Sequence, residues 1–447
     1  MEILERFFAL RERQTTVGRE LAGGLTTFLT MSYIIFVQPI ILSAAGMDKG
    51  AVMVATCLAS ALGSLLMGLL ANYPIALAPA MGHNVFFAFT LCVALKIPWQ
   101  TALALNFLSA ALFVVLSFWG LREKVITAVP ESLHYAIAAG IGMLIALLGL
   151  EWAGIVVDTP DVLVGLGNLK SAPALVSLAG LAVTSVFLVR NVPGAFLIGM
   201  AVTSALALLA GVTQFHGVVS APPSLSPTLF KLDFAALFHM PLDQLFSVVF
   251  VFFFLHLFDT VGTLIGVGQR GGFMRGNDLP RARQGLLADA LATVAGTLLG
   301  TSTVTAYIES TTGVTAGART GLANVFTALL FLLALVFYPV AEMIGGGYTP
   351  PGSQTALHPI LAPVLVLVGV YMITVIRKIE WDDFSEAVPA FLTIMVMVFS
   401  MSITEGIAFG FISYALLKLA AGRFREVHAL VYVFAALFIL RYAFLKA

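Results

Sequence analysis

A succession of apolar runs, each about as long as a membrane-spanning helix, constrains this chain more than any other feature. The runs start at Leu21 and continue almost to the C-terminal end, with charges, prolines and short polar clusters between them. Apolar residue types make up 60% of the 447 residues and charged types only 10%, whereas a soluble domain carries about 25% charged residues. The sequence therefore excludes a soluble globular protein and predicts an all-α polytopic membrane protein whose solvent is the lipid bilayer.

The charges and cysteines exclude further classes. The 23 Lys and Arg residues balance the 23 Asp and Glu residues, so no global basic surface favours a nucleic-acid partner. Cys57 and Cys92 both fall inside apolar runs, which indicates neither a disulfide framework nor a metal site. We therefore expect no nucleic-acid partner, no bound metal and no cofactor.

Cutting the chain at its charges, prolines and polar clusters gives fourteen predicted spans. They cover residues 21–45, 50–70, 75–95, 99–119, 131–151, 172–190, 193–212, 243–268, 285–300, 301–317, 319–343, 355–376, 386–402 and 404–421. Residues 1–20 form a predicted amphipathic lead-in helix at the membrane surface. A further apolar stretch at 428–444 is long enough to cross a thin bilayer or to lie in its interface, and the sequence leaves both open.

The distribution of Lys and Arg predicts which way the spans run. With the N-terminus inside, the basic residues before, between and directly after the fourteen spans fall mainly on the cytoplasmic side. Only Lys49, Lys96, Lys170 and Lys231 fall on the other side. Because cytoplasmic loops carry an excess of Lys and Arg, we predict a multi-pass protein of the cell (inner or plasma) membrane with a cytoplasmic N-terminus.

A long polar interval divides the spans into two equal sets. Residues 213–242, a predicted extracytoplasmic linker, contain four prolines and separate seven spans at 21–212 from seven at 243–421, with an apolar segment at 422–447 after them. An odd number of spans in each half makes the halves inverted relative to each other. Inverted repeats are the plan of many secondary transporters, whose binding sites lie near the bilayer midplane where discontinuous helices meet.

Spans three and ten are interrupted at matching positions of the two halves. Span three contains Pro79 and Gly82 within an apolar stretch, and Pro74 directly precedes it. Span ten opens with the run 301–305, which alternates β-branched and small residues and so favours a short extended piece before a half-helix. Non-helical backbone at membrane depth is tolerated only when it is buried in protein or lines a cavity. The pattern predicts two half-helices whose positive N-terminal ends face a common polar site.

Charged groups inside spans are costly, so each is a candidate functional residue. Asp259 lies deep in span eight, and His256, three residues earlier, shares its helical face. Glu309 follows the extended piece of span ten, whereas Asp289 in span nine is a weaker candidate that could bond only to a neighbouring helix. A buried carboxylate can carry a proton and accept hydrogen bonds from ring N–H groups. Asp259 and Glu309 are therefore the predicted proton-coupling and substrate-binding residues, with structural bonding between helices as the alternative.

Other side chains beside the interruptions are weaker candidates. Asn84 can both donate and accept a hydrogen bond, whereas His83 is explained as well by packing as by binding. His256 and Asp259 could in principle hold a metal or pair a base with its orienting group, but two ligands fall short of a zinc site. Aromatic faces suit planar ligands. The aromatic residues nearest the two interruptions are Phe86, Phe87 and Tyr307.

Long strings of the sequence carry a resemblance to one transporter family. They are AGGLTTFLTMSYIIFVQP at 22–39, PIALAPAMGHNVFFAFT at 74–90, LFDTVGTLIGV at 257–267, LLADALATVAGTLLGTSTVTAYIES at 286–310, WDDFSEAVPAFLTI at 381–394 and GIAFGFISYALLKL at 406–419. On these strings the chain resembles the AzgA-like purine permeases, which carry hypoxanthine, guanine or adenine, of the nucleobase-ascorbate transporter superfamily.

The resemblance implies a fourteen-span, seven-plus-seven inverted fold with a core domain, a gate domain and short strands in spans three and ten. It also implies proton-coupled import of purine nucleobases such as hypoxanthine, guanine, adenine or xanthine by a homodimer. In related permeases an acidic residue of span eight, another of span ten and strand backbone groups contact the base. Asp259 and Glu309 fall at those places, and Asn84 matches a third-span position tied to binding. The remaining predicted binding residues are Ala80, Met81, Phe87, Thr303, Val304, Tyr307, His256 and His83.

The chain departs from the family pattern at three positions. Gln38 stands where relatives usually have asparagine, His83 where they commonly have an aliphatic residue, and His256 where they generally have an acidic one. The last two departures bear on substrate preference and on the identity of the proton carrier. Both side chains are expected near one cavity.

Two other functions stay open at this level. An anion transporter or channel of the same fold is one, because half-helix dipoles suit anions, although two acidic residues at the predicted site would repel an anion. An intramembrane enzyme that uses His256 and Asp259 is the other, but the sequence offers neither a nucleophile constellation nor a third metal ligand. We therefore predict a transporter and not an enzyme.

Overall fold

The computed structural model describes residues 2–119, 130–159, 162–274, 279–351 and 355–444. Most of these residues are helical, as the apolar runs predict. The helices of the first half are α1 (Glu2–Phe8), α2 (Val17–Met31), α3 (Ile34–Ser43), α4 (Lys49–Leu66), α5 (Met81–Val85), α6 (Trp99–Trp119), α7 (Glu131–Trp152), α8 (Ala172–Val189) and α9 (Ala195–Leu209). Helices α4 and α5 continue as π-helices over Met67–Ala71 and Phe86–Ala94.

The second half of the chain is also mostly helical. Its helices are α10 (Leu242–Gly271), α11 (Ala282–Leu299), α12 (Ser310–Thr315), α13 (Leu322–Ala334), α14 (Tyr338–Gly345), α15 (Ala362–Ile373), α16 (Phe384–Phe399), α17 (Ile403–Ala420) and α18 (Ala429–Phe444). Short 3₁₀ turns occupy Ala236–His239, Leu335–Phe337, Thr374–Lys378 and Phe424–Glu426.

Eight helical stretches of the described residues are long and apolar enough to cross a membrane. They are Val17–Ser43, Lys49–Ala71, Trp99–Ser117, Glu131–Trp152, Ala172–Val189, Gln244–Gly271, Leu322–Gly345 and Ile403–Ala420. The other six predicted spans correspond to helices that are shorter or less apolar, which are α5 with its π-helical continuation, α9, α11, α12, α15 and α16. The predicted class, a mostly helical polytopic membrane protein, is confirmed, and the count of fourteen spans stays a prediction.

Both interrupted spans contain a short strand, as predicted. Strand β1 (Leu77–Pro79) in span three pairs antiparallel with strand β4 (Val304–Ala306) in span ten. The register places Leu77 opposite Ala306 and Pro79 opposite Val304. A second antiparallel pair, β2 (Val156–Thr159) with β3 (Val162–Leu166), lies between α7 and α8 and was not anticipated. The β1–β4 pair joins the two halves of the chain at the point where α5 and α12 begin.

Local backbone geometry explains why the helices stop before each strand. The π-helical end of α4 is followed by Asn72 in the left-handed region, with φ 54°, a conformation that asparagine tolerates better than most residues. Helix α11 ends at Gly300, with φ 94°. A Cβ atom at Gly300 would lie 2.3 Å from the Cβ of Thr228, so both the turn and the close approach require glycine there.

One hydroxyl group holds the start of each strand in the same way in both halves. Ser64 Oγ on α4 accepts a hydrogen bond from Leu77 N at 3.1 Å and donates one to Leu77 O at 3.3 Å. Thr293 Oγ1 on α11 accepts from Val304 N at 3.1 Å and donates to Val304 O at 2.7 Å. Leu77 and Val304 are the first residues of β1 and β4. The matching bonds are the local signature of an inverted repeat.

Two backbone hydrogen bonds close the strand pair at its ends, again in matched positions. Ala80 N donates to Thr303 O at 2.9 Å, and Tyr307 N donates to Ala76 O at 3.0 Å. Since buried backbone groups must find partners in the absence of water, these bonds allow extended backbone to persist inside a helical membrane protein. The two half-helices are thereby fixed relative to each other.

The helices pack as two bundles. The first bundle contains α2, α3, α4, α6 and α10 to α14, whereas the second contains α7, α8, α9, α15, α16 and α17. In the second bundle α7 and α15 approach closely, because a Cβ atom added at Gly369 would lie 2.5 Å from Gly142 O, and small residues permit such contacts in membranes. We call the first bundle the core and the second the gate.

The C-terminal apolar segment forms a helix that packs along the bundles. Helix α18 packs on α17, and the ring of Phe434 lies 4.2 Å from that of Phe250 in the core and 5.9 Å from that of Phe411 in the gate. Near its end, Arg441 Nη2 lies 2.7 Å from Glu405 Oε1, at the start of α17. Helix α18 therefore runs back along α17, antiparallel to it.

Candidate functional site

Asp259 on α10 presents its carboxylate beside strand β4. Its Oδ2 accepts a hydrogen bond from Thr305 Oγ1 at 3.0 Å and lies 4.0 Å from His83 Nδ1. The side chain is 42% exposed although it sits midway along a long apolar helix. An exposed carboxylate at this depth means that the protein leaves an opening beside it. Asp259 is therefore accessible to a solute.

Glu309 lies at the other end of the same short segment of span ten. It immediately precedes α12, follows β4 by three residues and is partly buried. Its Oε1 accepts a hydrogen bond from Tyr33 Oη at 2.7 Å. Among the described residues, no side chain donates a second bond to Glu309 Oε2 or to Asp259 Oδ1. Each carboxylate thus keeps one oxygen available for a ligand.

The two histidines among the three departures from the family pattern lie together. The rings of His83 and His256 are perpendicular, with centroids 6.1 Å apart. His83 is buried behind Asp259, and its Nε2 has no partner among the described residues. His256 stacks on Phe113 at a centroid distance of 4.3 Å. The expectation that both histidines lie near one site agrees with this arrangement, and their roles in binding stay predictions.

His256 does not pair with Asp259, although the two share a helical face. It bonds through Nε2 to Asp289 Oδ2, which also accepts a hydrogen bond from Thr260 Oγ1 at 2.8 Å. Asp289 Oδ1 accepts from Ala306 N at 2.9 Å, the last residue of β4. The side chains of His256 and Asp289 are both buried. Asp289, the weaker candidate from the sequence, therefore fixes the strand that carries the site.

Asn84 links the two broken spans. Its Oδ1 accepts a hydrogen bond from Ser302 Oγ, and its Nδ2 has no partner among the described residues. Gln38 Nε2 donates to the same Ser302 Oγ at 3.2 Å. Since Asn84 is completely buried, it holds the start of the span-ten interruption against α5. Its predicted contact with substrate is not visible in this arrangement and stays a prediction.

The other predicted residues surround the strand pair. Met81 begins α5, and Phe87 is completely buried among core side chains. Thr303 Oγ1 donates to Asn106 Oδ1 at 2.8 Å, and Tyr307 Oη donates to Pro79 O at 2.5 Å. The N–H groups of Ala80 and Val304 already have protein partners, Thr303 O and Thr293 Oγ1. In this conformation these residues build the strand pair, and their contacts with a ligand stay predictions.

Sequence reasoning missed two residues that touch the carboxylates. Tyr33 lies between α2 and α3, is 1% exposed and bonds to Glu309. Thr305 lies in β4 and bonds to Asp259. A tyrosine inside an apolar run is a recognisable signal, because a buried phenol needs a partner, but the sequence does not say which.

The arrangement suits a neutral solute that carries N–H donors. Two carboxylates with free oxygens accept hydrogen bonds and disfavour an anion. Within the described ranges, no group of three or more His, Cys, Asp or Glu residues could hold a metal ion. The hydroxyl groups of Thr305 and Tyr33 can donate to a carboxylate or accept from a carboxylic acid, so each pair is compatible with loss or gain of a proton.

Comparisons of the sequence with known proteins relate this chain to permeases. The model of the Permease family Xan_ur_permease matches residues 18–409. The adenine permease AdeP of Escherichia coli is 44% identical over 446 residues, covering 100% of this chain and 97% of AdeP. The guanine/hypoxanthine permease PbuG of Bacillus subtilis is 42% identical over 459 residues, covering 99% of this chain and 100% of PbuG.

A solved structure shares the fold. The transmembrane domain of the cyanobacterial bicarbonate transporter BicA superposes with a TM-score of 0.63, covering 87% of this chain and 97% of that domain, at 14% sequence identity. At that identity the likeness concerns architecture alone. It confirms the predicted inverted-repeat fold class, and the exact number of spans in each half stays a prediction.

Proposed function

Because the chain belongs to the nucleobase-ascorbate transporter family of permeases, we propose that it imports purine nucleobases together with protons. The family makes it a multi-pass membrane transporter and not an enzyme. Our proposal adds the substrate class, which includes hypoxanthine, guanine, adenine and xanthine, and the proton coupling. It also adds a cytoplasmic N-terminus in the cell membrane and assembly as a homodimer.

The observation that carries the proposal is the pair of carboxylates next to β4, one bonded to the strand and one three residues after it. Asp259 is anchored by Thr305 and Glu309 by Tyr33, and each retains a free oxygen. Purine bases present N–H groups along the edges of a flat ring, and carboxylate oxygens accept such groups. Charge-assisted hydrogen bonds of this kind are roughly twice as strong as neutral ones.

The same carboxylates are our proposed proton carriers. A carboxylate inside a membrane is costly when charged, so binding of a proton and movement across the bilayer are naturally linked. The hydroxyl partners Thr305 and Tyr33 serve either protonation state. Relative movement of the core and gate bundles would expose the site to each side in turn, as in other inverted-repeat transporters.

Uptake of radiolabelled purines by cells that lack their own purine transporters tests the proposal. The wild-type chain should accumulate one or more of hypoxanthine, guanine, adenine and xanthine, and a proton uncoupler should abolish the accumulation. Uptake that persists with the uncoupler would contradict the proton coupling but not the substrate class. A well-expressed protein that takes up no nucleobase would contradict the substrate class, and anions would be tested next.

Asp259→Asn and Glu309→Gln test the carboxylates. Each should lower uptake at least about tenfold, because a hydrogen bond to a charged group contributes about 1.5–3 kcal/mol. Asp382→Asn is the matched control, since Asp382 is an exposed carboxylate in a loop outside the site. Membrane abundance is compared by immunoblot of an N-terminal tag. Wild-type uptake by either site variant would refute the assignment.

A further inference from the structure

A polar pocket of about 370 Å³ lies away from the carboxylates, at the C-terminal end of α12. A cavity of that size falls within the range of small-molecule sites. It is lined by Arg13, Gln14, Arg19, Ala316, Gly317 and Arg319. Three arginines thus line one concave surface, and no Asp or Glu belongs to its lining among the residues that the structure describes.

The side chains of these three arginines are not neutralised by ion pairs in the part of the chain that the structure describes. Within the described ranges none of them forms an ion pair. Glu20, the nearest acidic group in sequence to Arg19, is buried and accepts instead from the backbone N–H groups of Arg319 at 2.8 Å and Thr320 at 3.2 Å. Like charges around one cavity repel each other, so the pocket as built favours an anion.

Two of the guanidinium groups are held in place by backbone carbonyls. Arg319 Nη1 donates to Val314 O and Ala318 O, both at 2.7 Å, and so caps the end of α12. Arg19 Nη1 donates to Gln14 O at 3.4 Å. A guanidinium group carries five N–H donors, so each of these side chains retains donors for a ligand. Planar, pre-oriented guanidinium groups match the oxygens of a phosphate.

The position of the pocket indicates where a phosphate could come from. Arg13 and Arg19 flank the turn between α1 and α2, where Phe8 and Leu10 pack on Leu322. These apolar anchors and the neighbouring charges are typical of a membrane interface. Through Arg319 the pocket reaches the C-terminal end of α12, whose other end follows Glu309.

We propose that Arg13, Arg19 and Arg319 form a binding site for a phosphate group, which either an anionic phospholipid headgroup or a soluble phosphate compound supplies. The bound group neutralises the three guanidinium charges and fixes the end of α12 behind the carboxylate site. This site is separate from the predicted purine site, and its existence does not depend on which solute is transported.

Binding to the purified full-length protein tests this proposal. Thermal unfolding is followed in detergent with increasing inorganic phosphate, and separately with added phosphatidylglycerol or phosphatidylcholine. Native mass spectrometry counts the lipids that remain bound. We expect the unfolding temperature to rise with a phosphate ligand. A response to phosphatidylglycerol and not to inorganic phosphate identifies a lipid headgroup, and the reverse response identifies a soluble compound.

Two sets of variants distinguish binding in this pocket from a general effect of the protein's positive charge. Arg13→Gln with Arg19→Gln leaves the helix cap of Arg319 intact and should weaken binding at least about tenfold, by loss of two charge-assisted contacts. A matched set of two, Arg190→Gln with Arg377→Gln, removes exposed positive charges elsewhere and should leave affinity unchanged. Absence of any response in the wild-type protein, or an equal loss in the matched set, would overturn the proposal.

Discussion

Tyr33 and Glu309 are joined by a hydrogen bond of 2.7 Å from the phenol to the carboxylate, although 276 positions separate them in the sequence. The ring of Tyr33 also lies 5.7 Å from that of Phe196, a gate residue on α9. The phenol therefore connects the proposed substrate carboxylate to the opposite bundle. Tyr33 acts through Glu309 and is a positioning residue.

Replacing Tyr33 with Phe should raise the KM for purine uptake about tenfold and change Vmax less, because the variant keeps the ring and removes a hydrogen bond to a charged group. The control is Tyr414→Phe, which removes another buried tyrosine bond, to Glu386 Oε1 at 3.0 Å within the gate. Its KM should match that of the wild type. Equal KM values for Tyr33→Phe and wild type would show that the phenol does not orient Glu309.

Asp289 should be essential for stability. Asp289→Asn leaves the buried His256 ring, the Thr260 hydroxyl and the backbone N–H of Ala306 without their carboxylate. Breaking a buried pair by removing one partner costs about 3–5 kcal/mol. We expect a marked fall in the unfolding temperature of the purified protein. Asp158→Asn, at an exposed position of β2, should unfold with the wild type, and equal unfolding of all three proteins would contradict the role of Asp289.

Helix α18 should cross the membrane. It runs antiparallel to α17, and Arg441 reaches Glu405 at the far end of that helix. Reporter proteins fused after Gly422 and after Ala447 should therefore be found on opposite sides of the membrane. If both reporters report the same side, α18 lies in the interface, which is the other alternative that the sequence leaves open.

A charged cluster after α17 should make stability depend on pH. Hydrogen bonds from Ser385 and then Arg423 hold the pKa of Asp383 well below its ordinary value. Arg423 Nη1 lies 2.5 Å from Asp383 Oδ2. Because the folded state lowers this pKa, its stabilising effect is complete above the unfolded value of about 4 and is lost as pH falls below it.

Asp383→Asn should therefore unfold at a lower temperature than the wild type at pH 7, and the difference should fade as the pH falls below about 4. Thermal unfolding at several pH values measures this change. The neighbouring exposed residue provides the control, since Asp382→Asn should follow the wild type throughout. A difference between Asp383→Asn and wild type that is the same at every pH would contradict the charge mechanism.

Features with a local cause were predictable from the sequence. The membrane class follows from the apolar runs, because lipid requires about 20 apolar residues per span. The interruption of span three follows from the prolines of 74–79, and the extended piece of span ten follows from the β-branched run of 301–305, since both act within a few residues. The strand in span three was implied only by the family resemblance. The hairpin of β2 and β3 was missed, since it lies in a short segment between two spans.

The partners of the buried polar groups were not predictable. Helical periodicity places His256 and Asp259 on one face of α10, but it does not say which neighbour that face meets. Helix α11 packs so that its Asp289 bonds to His256. Span three crosses α10 so that His83 lies next to Asp259. Tyr33 reaches Glu309 only because the two halves interlock.

The sequence alone determined that this chain spans a membrane, that two of its spans are interrupted at matching positions of the two halves, and that acidic residues lie inside its spans. These properties depend on side-chain hydrophobicity and on backbone preferences over a few residues. The tertiary structure alone decided which hydroxyl groups anchor Asp259 and Glu309 and that Asp289 supports the strand. The reason is that hydrogen-bond partners in a membrane protein are set by how distant helices pack and rotate against each other, which no local pattern records.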